Sequence, residues 1–152
     1  MSVTITGLEK VEAIFADIIK SIDSPAAMRR LGGYVIKQIR QRTRGEGKGV
    51  GRPGGNAVKL RRVTDKYAKW RARQVRHPEA ASGKSSNLTF RGTMLDSLII
   101  KTATANKLFI GLRTIKEQEK AEGQAEQGRR FMFLSGKEIR DAANYVKLNL
   151  KR

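Results

Sequence analysis

Apolar residues recur at steps of three and four at Leu8, Val11, Phe15, Ile18 and Ile22, and Ile14 and Ile19 widen the stripe. This period predicts an amphipathic helix over 8–22. Asp23-Ser24-Pro25 closes it and opens another, with Ser24 placed as N-cap and Pro25 at the first helical position. Met28, Leu31, Val35 and Ile39 carry the period on to about Thr43, while Arg29, Arg30, Lys37, Arg40, Gln41 and Arg44 fill the opposite side. The first two elements read as a helical hairpin with one apolar and one cationic side.

The pattern then breaks. Arg44 to Asn56 holds six glycines and a proline, a composition that suits neither a helix nor a strand interior. Residues 45–62 are therefore expected to form one long basic loop. It exceeds the ~12–15 residues beyond which structureless loops are usually functional or disordered, and is expected to order only against a partner. Thr64 can cap a third helix to about Arg76, whose Tyr67 and Trp70 share a face. Core packing is the expectation for that pair, and stacking on nucleic-acid bases is the alternative. His77-Pro78 ends the helix and 79–87 is a small polar linker.

From Leu88 the period shortens to two. Leu88-Thr-Phe90 reads as a short strand, Gly92 to Ser97 as a turn or short helix, and Leu98–Thr104 with Lys107–Leu112 as a hairpin around Ala105-Asn106. Residues 115–127, rich in Glu, Gln, Lys and Ala, favour a polar helix or loop, and Phe131–Leu134 suggests another buried strand. Ser135-Gly-Lys-Glu138 is a capping box opening a last helix with Ile139, Ala143, Val146 and Leu150 on one face. The expected fold is a single α+β domain over 1–152, with N-terminal helices, a small antiparallel sheet with a hairpin and a C-terminal helix.

Charge changes the picture most. Of the 40 residues from Lys37 to Arg76, fourteen are lysine or arginine and only Glu46 and Asp65 oppose them, a net +12 within the chain's +18. Such a surplus raises the self-repulsion of the compact state and points to DNA, RNA or an acidic protein surface as partner. The absence of cysteine excludes disulfides, thiol catalysis and cysteine-ligated zinc. Neither a signal peptide nor a membrane span of ~20 apolar residues is evident. A soluble protein made inside the cell, away from membranes, is expected.

Catalytic signals are weak. Gly83-Lys84-Ser85 has the end of a phosphate-binding loop, but Pro78 stands where that motif needs glycine and no buried strand precedes it. His77 is the only histidine, and a helix-end contact suits it better than metal binding or general-base work. Glu46 near Lys48 could suggest a nuclease, but no second carboxylate is placed to share a metal. Glu117, Glu119, Glu122 and Glu126 read as a solvated helix face, or as an acidic docking surface for a neighbouring basic subunit. No enzyme activity, cofactor or metal is expected.

The second half has an order of features with a known counterpart. Val63-Thr-Asp-Lys-Tyr-Ala-Lys69 precedes Leu88-Thr-Phe-Arg-Gly-Thr-Met-Leu-Asp-Ser-Leu98. A hairpin ending Leu108-Phe-Ile-Gly-Leu112 follows, then Ala121, Glu126-Gln-Gly128, Arg130-Phe-Met-Phe-Leu-Ser135 and a closing helix. This resembles the tail completion and minor tail proteins of tailed bacteriophages, the virion-morphogenesis or neck group that includes the protein Z type of lambda-like phages. Gly92, Leu95, Ser97 and Leu98 match one family element, Gly111 the hairpin end, and Arg130, Phe131, Leu134 and Ser135 the late one. Gln124 and Gln127 stand in the segment where the family carries a histidine, and no proline precedes Arg130.

The resemblance implies a structural virion protein that forms a homo-oligomeric ring, a hexamer by preference, at the head-proximal end of the tail or in the neck. It would meet tail terminator or tube proteins and the head-tail connector, with packaged double-stranded DNA as a further partner. Six copies at +18 each would bring about +108 together, which DNA or acidic ring neighbours would have to neutralise. The residues expected to contact phosphate or acidic side chains are Arg40, Arg42, Arg44, Lys48, Arg52, Lys59, Arg61 and Arg62. Trp70, Phe131, Phe133 and Leu134 are expected to serve core or subunit packing. The alternative is a cellular DNA- or RNA-binding module that uses the same basic glycine-rich loop.

Overall fold

A computed structural model describes residues 22, 24–45, 48–51, 54–60, 62, 64–73, 93–105, 107–128 and 130–150. The helix expected over 8–22 lies outside the described residues apart from Ile22, which is buried in the core; the strand at Leu88–Phe90, the 79–87 linker, His77, Glu46, Arg52 and Arg61 lie outside them too.

The chain folds as an α+β domain. Helix α1 runs Pro25–Arg40 because Ser24, extended at φ −130°, accepts a hydrogen bond from the Ala27 amide at 3.1 Å and Pro25 presets the first turn. Its stripe of Met28, Leu31, Val35, Ile36 and Ile39 is buried, as the period requires. A π-helical turn, Gln41–Gly45, continues it. Next come β1 (Lys48–Val50), β2 (Val58–Lys59) and α2 (Asp65–Ala72). The one-turn α3 (Thr93–Asp96) leads into the hairpin of β3 (Leu98–Thr104) and β4 (Lys107–Leu112). The polar helix α4 (Ile115–Glu126) and the closing helix α5 (Gly136–Asn149) complete the order.

Among the described residues two separate two-stranded antiparallel sheets form, β1–β2 and β3–β4. In the larger one Leu98 pairs with Leu112, Ile100 with Ile110 and Thr104 with Lys107, and the register shifts once between Ile100 and Thr102. A two-stranded hairpin is marginal by itself, so it is covered. Helix α1 lies over it so closely that a Cβ on Gly32 would sit 2.7 Å from Ile100 Cδ1. Helix α5 flanks α1, with Tyr34 and Tyr145 stacked at 4.3 Å between ring centroids. Met94, Leu95, Leu98, Leu112, Ile139, Ala142 and Val146 fill the shared core, and Phe131 and Leu134 join it.

Two expectations are corrected here. Phe131–Leu134 is buried but is not a strand: the Phe133 amide turns back onto the Phe131 carbonyl at 3.0 Å, a three-residue turn that removes it from any ladder. Residues 45–62 are not a structureless loop either, since they contain the β1–β2 ribbon.

Candidate functional site

The basic segment divides into an inward and an outward part. Ile39 is buried on the core stripe of α1, and positions three and four further on, Arg42 and Thr43, fall on the same side of the helix. Arg42 is therefore turned inward and is only 5% exposed. Its Nη1 donates to the Phe133 carbonyl at 3.0 Å and to Glu138 Oε2 at 2.6 Å, and its Nη2 donates to the Phe131 carbonyl. The guanidinium also sits 4.0 Å from the centroid of the Phe133 ring. Glu138 is held for this by the capping box, because its Oε2 accepts from the Ser135 amide at 2.7 Å.

Arg42 is thus a correction to the expected contact set: a buried, charge-paired arginine cannot reach phosphate without unfolding its surroundings. Arg40 and Arg44 also bind their own chain. Arg40 donates to the carbonyls of Leu95, Asp96 and Leu98 at 3.0–3.3 Å, closing the C-terminal end of α3. Arg44 Nη2 meets Asp96 Oδ1 at 2.6 Å.

The glycine-rich ribbon is fastened to the same place. The Gly54 amide donates to the Leu134 carbonyl at 2.7 Å, and the Gly136 amide donates to the Gly55 carbonyl at 3.0 Å. Gly54 takes φ +73°, where a side chain would be strained. A Cβ on Gly51 would fall 2.6 Å from the Phe133 ring, so glycine is what lets backbone and aromatic meet. The described part of this segment is held against residues 131–136 of its own chain, with no second molecule, where ordering against a partner was the expectation. Of the remaining expected contacts, Lys59 and Arg62 are exposed and Lys48 lies in β1.

The aromatics separate in the same way. Phe131, Phe133 and Leu134 are buried as expected. Tyr67 and Trp70 are not core residues: Trp70 is 46% exposed, and the two rings lie 5.5 Å apart among the exposed Lys66, Lys69 and Arg73. Within α2 only Ala68 turns inward among the side chains described. Sequence reading missed Glu138 as the partner of Arg42. The phase of position 42 with Val35 and Ile39 was the available signal.

A polar cleft of about 490 Å³ opens beside the Arg42–Glu138 pair, between α1 and the first turns of α5, with Asn56 and Ala57 along one wall. Gln38 Nε2 donates to the Tyr34 hydroxyl at 3.1 Å within it. Burial pushes the Tyr34 pKa up, and Asp141 and Tyr145 push it further, while the Gln38 hydrogen bond opposes them. Among the described residues no three His, Cys, Asp or Glu side chains come together to hold a metal ion. No helix among them is long and apolar enough to cross a membrane. Such an arrangement can bind and stiffen, and its exposed chemistry is cationic.

No family model matches the chain, and no characterised protein or solved structure is significantly similar to it.

Proposed function

We propose that this chain is a structural subunit of a phage tail completion or neck ring, placed at the head-proximal end of the tail, where it helps join tail to capsid. The observation that carries this reading is how the basic segment is divided. Arg40, Arg42 and Arg44 are used internally, and two of them bind acidic side chains of their own chain. The inward part stiffens the segment Phe131–Ser135, which carries one of the elements of the resemblance to phage tail proteins. Lys59, Arg62, Lys66, Lys69 and Arg73 stay on the surface, where phosphate or an acidic neighbouring ring would neutralise them. A rigid body with a cationic exterior suits an assembly part. In this reading its partners are further copies of itself, tail terminator or tube proteins, the connector and the packaged duplex.

A second reading keeps one specific observation in its favour. The exposed Tyr67–Trp70 pair among cations is the kind of platform on which unpaired bases stack, as in a cellular DNA- or RNA-binding module. The mass of the purified protein at low and moderate salt, with and without duplex DNA, separates the two. A DNA-independent ring supports the assembly reading. A monomer that coats DNA with a steep salt dependence supports the nucleic-acid module and overturns the ring.

A further inference from the structure

Two exposed helical faces of this chain complement each other. Around α4, Ile115, Glu119, Glu122 and Glu126 follow at steps of four, three and four and form one line along the helix. The opposite side of α4 is the one that buries Ala121. Ile115 is 77% exposed, Glu119 and Glu126 are exposed as well, and Glu122, half-buried at the edge of the line, accepts from Gln118 Nε2 at 3.1 Å. In a chain with 32 basic and 14 acidic residues, carboxylates should find cations readily. Asp96, Glu117 and Glu138 do, whereas Glu119 and Glu126 make no ion pair among the described residues. On α2 and the turn that follows it, Lys66, Lys69, Trp70 and Arg73 fall within about a third of the helix circumference, and all four are exposed.

We propose that the Lys66–Lys69–Trp70–Arg73 face of α2 docks on the Ile115–Glu119–Glu122–Glu126 line of α4 in a second copy of this chain. This inference rests on the ring reading and names the surfaces that would build it. Three cations and an indole meet three carboxylates and an isoleucine. Trp70 against Ile115 is the desolvated anchor, and the charges around it set register and exclude wrong partners. Each copy carries both faces, each exposed in its own chain, so the contact is heterologous. Such contacts run head to tail and close into a ring when the rotation permits. They also bring carboxylates to part of the cationic surface that six +18 subunits would otherwise bring together.

Charge reversal tests this directly, and the single tryptophan gives a local readout. Sedimentation velocity and Trp70 emission are followed for the wild-type protein, for Lys69→Glu/Arg73→Glu and for Glu119→Lys/Glu126→Lys. A control, Arg29→Glu/Arg30→Glu, reverses two exposed cations on α1. The expected result is a wild-type oligomer with blue-shifted emission that dissociates as salt is raised. Each α2 or α4 reversal should weaken assembly at least tenfold, with the control unaffected. An equimolar mixture of the two reversed proteins should regain the oligomer, because each then offers what the other lacks.

A ring that survives both reversals overturns this contact and leaves the ring reading standing. A wild-type chain that stays monomeric at every concentration overturns both. Trp70 emission that responds to single-stranded oligonucleotide while the chain stays monomeric overturns the contact in favour of base stacking. Should a reversed protein fail to fold, Trp70→Cys/Ile115→Cys decides instead, since the chain has no other cysteine. Oxidation should give a ladder of disulfide-linked copies that neither single variant gives, and monomer alone overturns the proposal.

Discussion

Arg42 and Glu138, 96 positions apart, form an ion pair of 2.6 Å with both side chains at least nine-tenths buried. A bare pair at that depth would gain little over an apolar one, because desolvation offsets the attraction. Here the guanidinium also serves two backbone carbonyls and the carboxylate also serves the Ser135 amide, so the pair is a structural junction. Removing one partner leaves the other charge buried. Arg42→Ala is expected to destabilise the fold by about 3–5 kcal/mol. Urea unfolding measured beside the wild type checks it, and a loss under 1 kcal/mol would contradict the buried position.

Gly123 and Gly136 give opposite predictions for one chemical change. Within a helix, glycine to alanine ordinarily stabilises by about 0.5–1 kcal/mol. Gly123 has nothing within 4 Å of an added Cβ, so Gly123→Ala should show that gain. At Gly136 the new Cβ would lie 2.6 Å from the Gly54 carbonyl oxygen, so Gly136→Ala should destabilise and loosen the ribbon. Thermal melts of the two variants should move in opposite directions.

Tyr34 predicts an alkaline effect. Burial, reinforced by Asp141 and Tyr145, raises its pKa above the ordinary value near 10. The folded state therefore holds this proton more tightly than the unfolded chain does. The resulting stability is present in full below about pH 10 and is lost as pH rises through the folded pKa. Between pH 9 and pH 11 the wild type should lose more stability than Tyr34→Phe, which keeps the ring stacked on Tyr145. Equal losses would show that the hydroxyl is not held in its neutral form.

Exposed and buried cations should separate in duplex-DNA titrations. If the basic surface meets DNA, Lys59→Ala and Arg62→Ala should each flatten the slope of log K against log salt by about 0.9. Arg40→Gln should leave that slope nearly unchanged, since its guanidinium is already bound to three carbonyls of its own chain. Fluorescence anisotropy across a salt series reads both.

Much of the fold was legible because it rests on local chemistry. Ser24 and Ser135 cap as their spacing indicates, the stripe of α1 is buried where the period puts it, and so are Ile139, Ala143 and Val146 of α5, with Leu150 half-buried beyond its end. The candidate site was less legible. Sequence composition marks Arg42 as one more surface cation, and only its phase with Val35 and Ile39 places it inside. The six glycines argued for disorder, but their missing side chains also allow backbone to reach Leu134 and Phe133, a long-range event that no local rule anticipates. Tyr67 and Trp70 were read as core because aromatics three apart on a helix usually are. On α2 only Ala68 turns inward among the side chains described, so the pair stays partly exposed.

The two hydrogen bonds, from the Gly54 amide to the Leu134 carbonyl and from the Gly136 amide to the Gly55 carbonyl, join chain positions about eighty residues apart. Bringing such distant points together costs about 4 kcal/mol in chain entropy at 25 °C, before any constant term. The short ribbon cannot repay that until α5 and the Phe131–Leu134 turn are already in place. Ordering of the basic ribbon is therefore expected to come late in folding, and its release to come early in unfolding, which hydrogen exchange at the Gly54 and Gly136 amides would read. Until α5 seats, its cations cannot present a fixed pattern to a neighbour, so premature association of half-made chains is discouraged by the order of events itself.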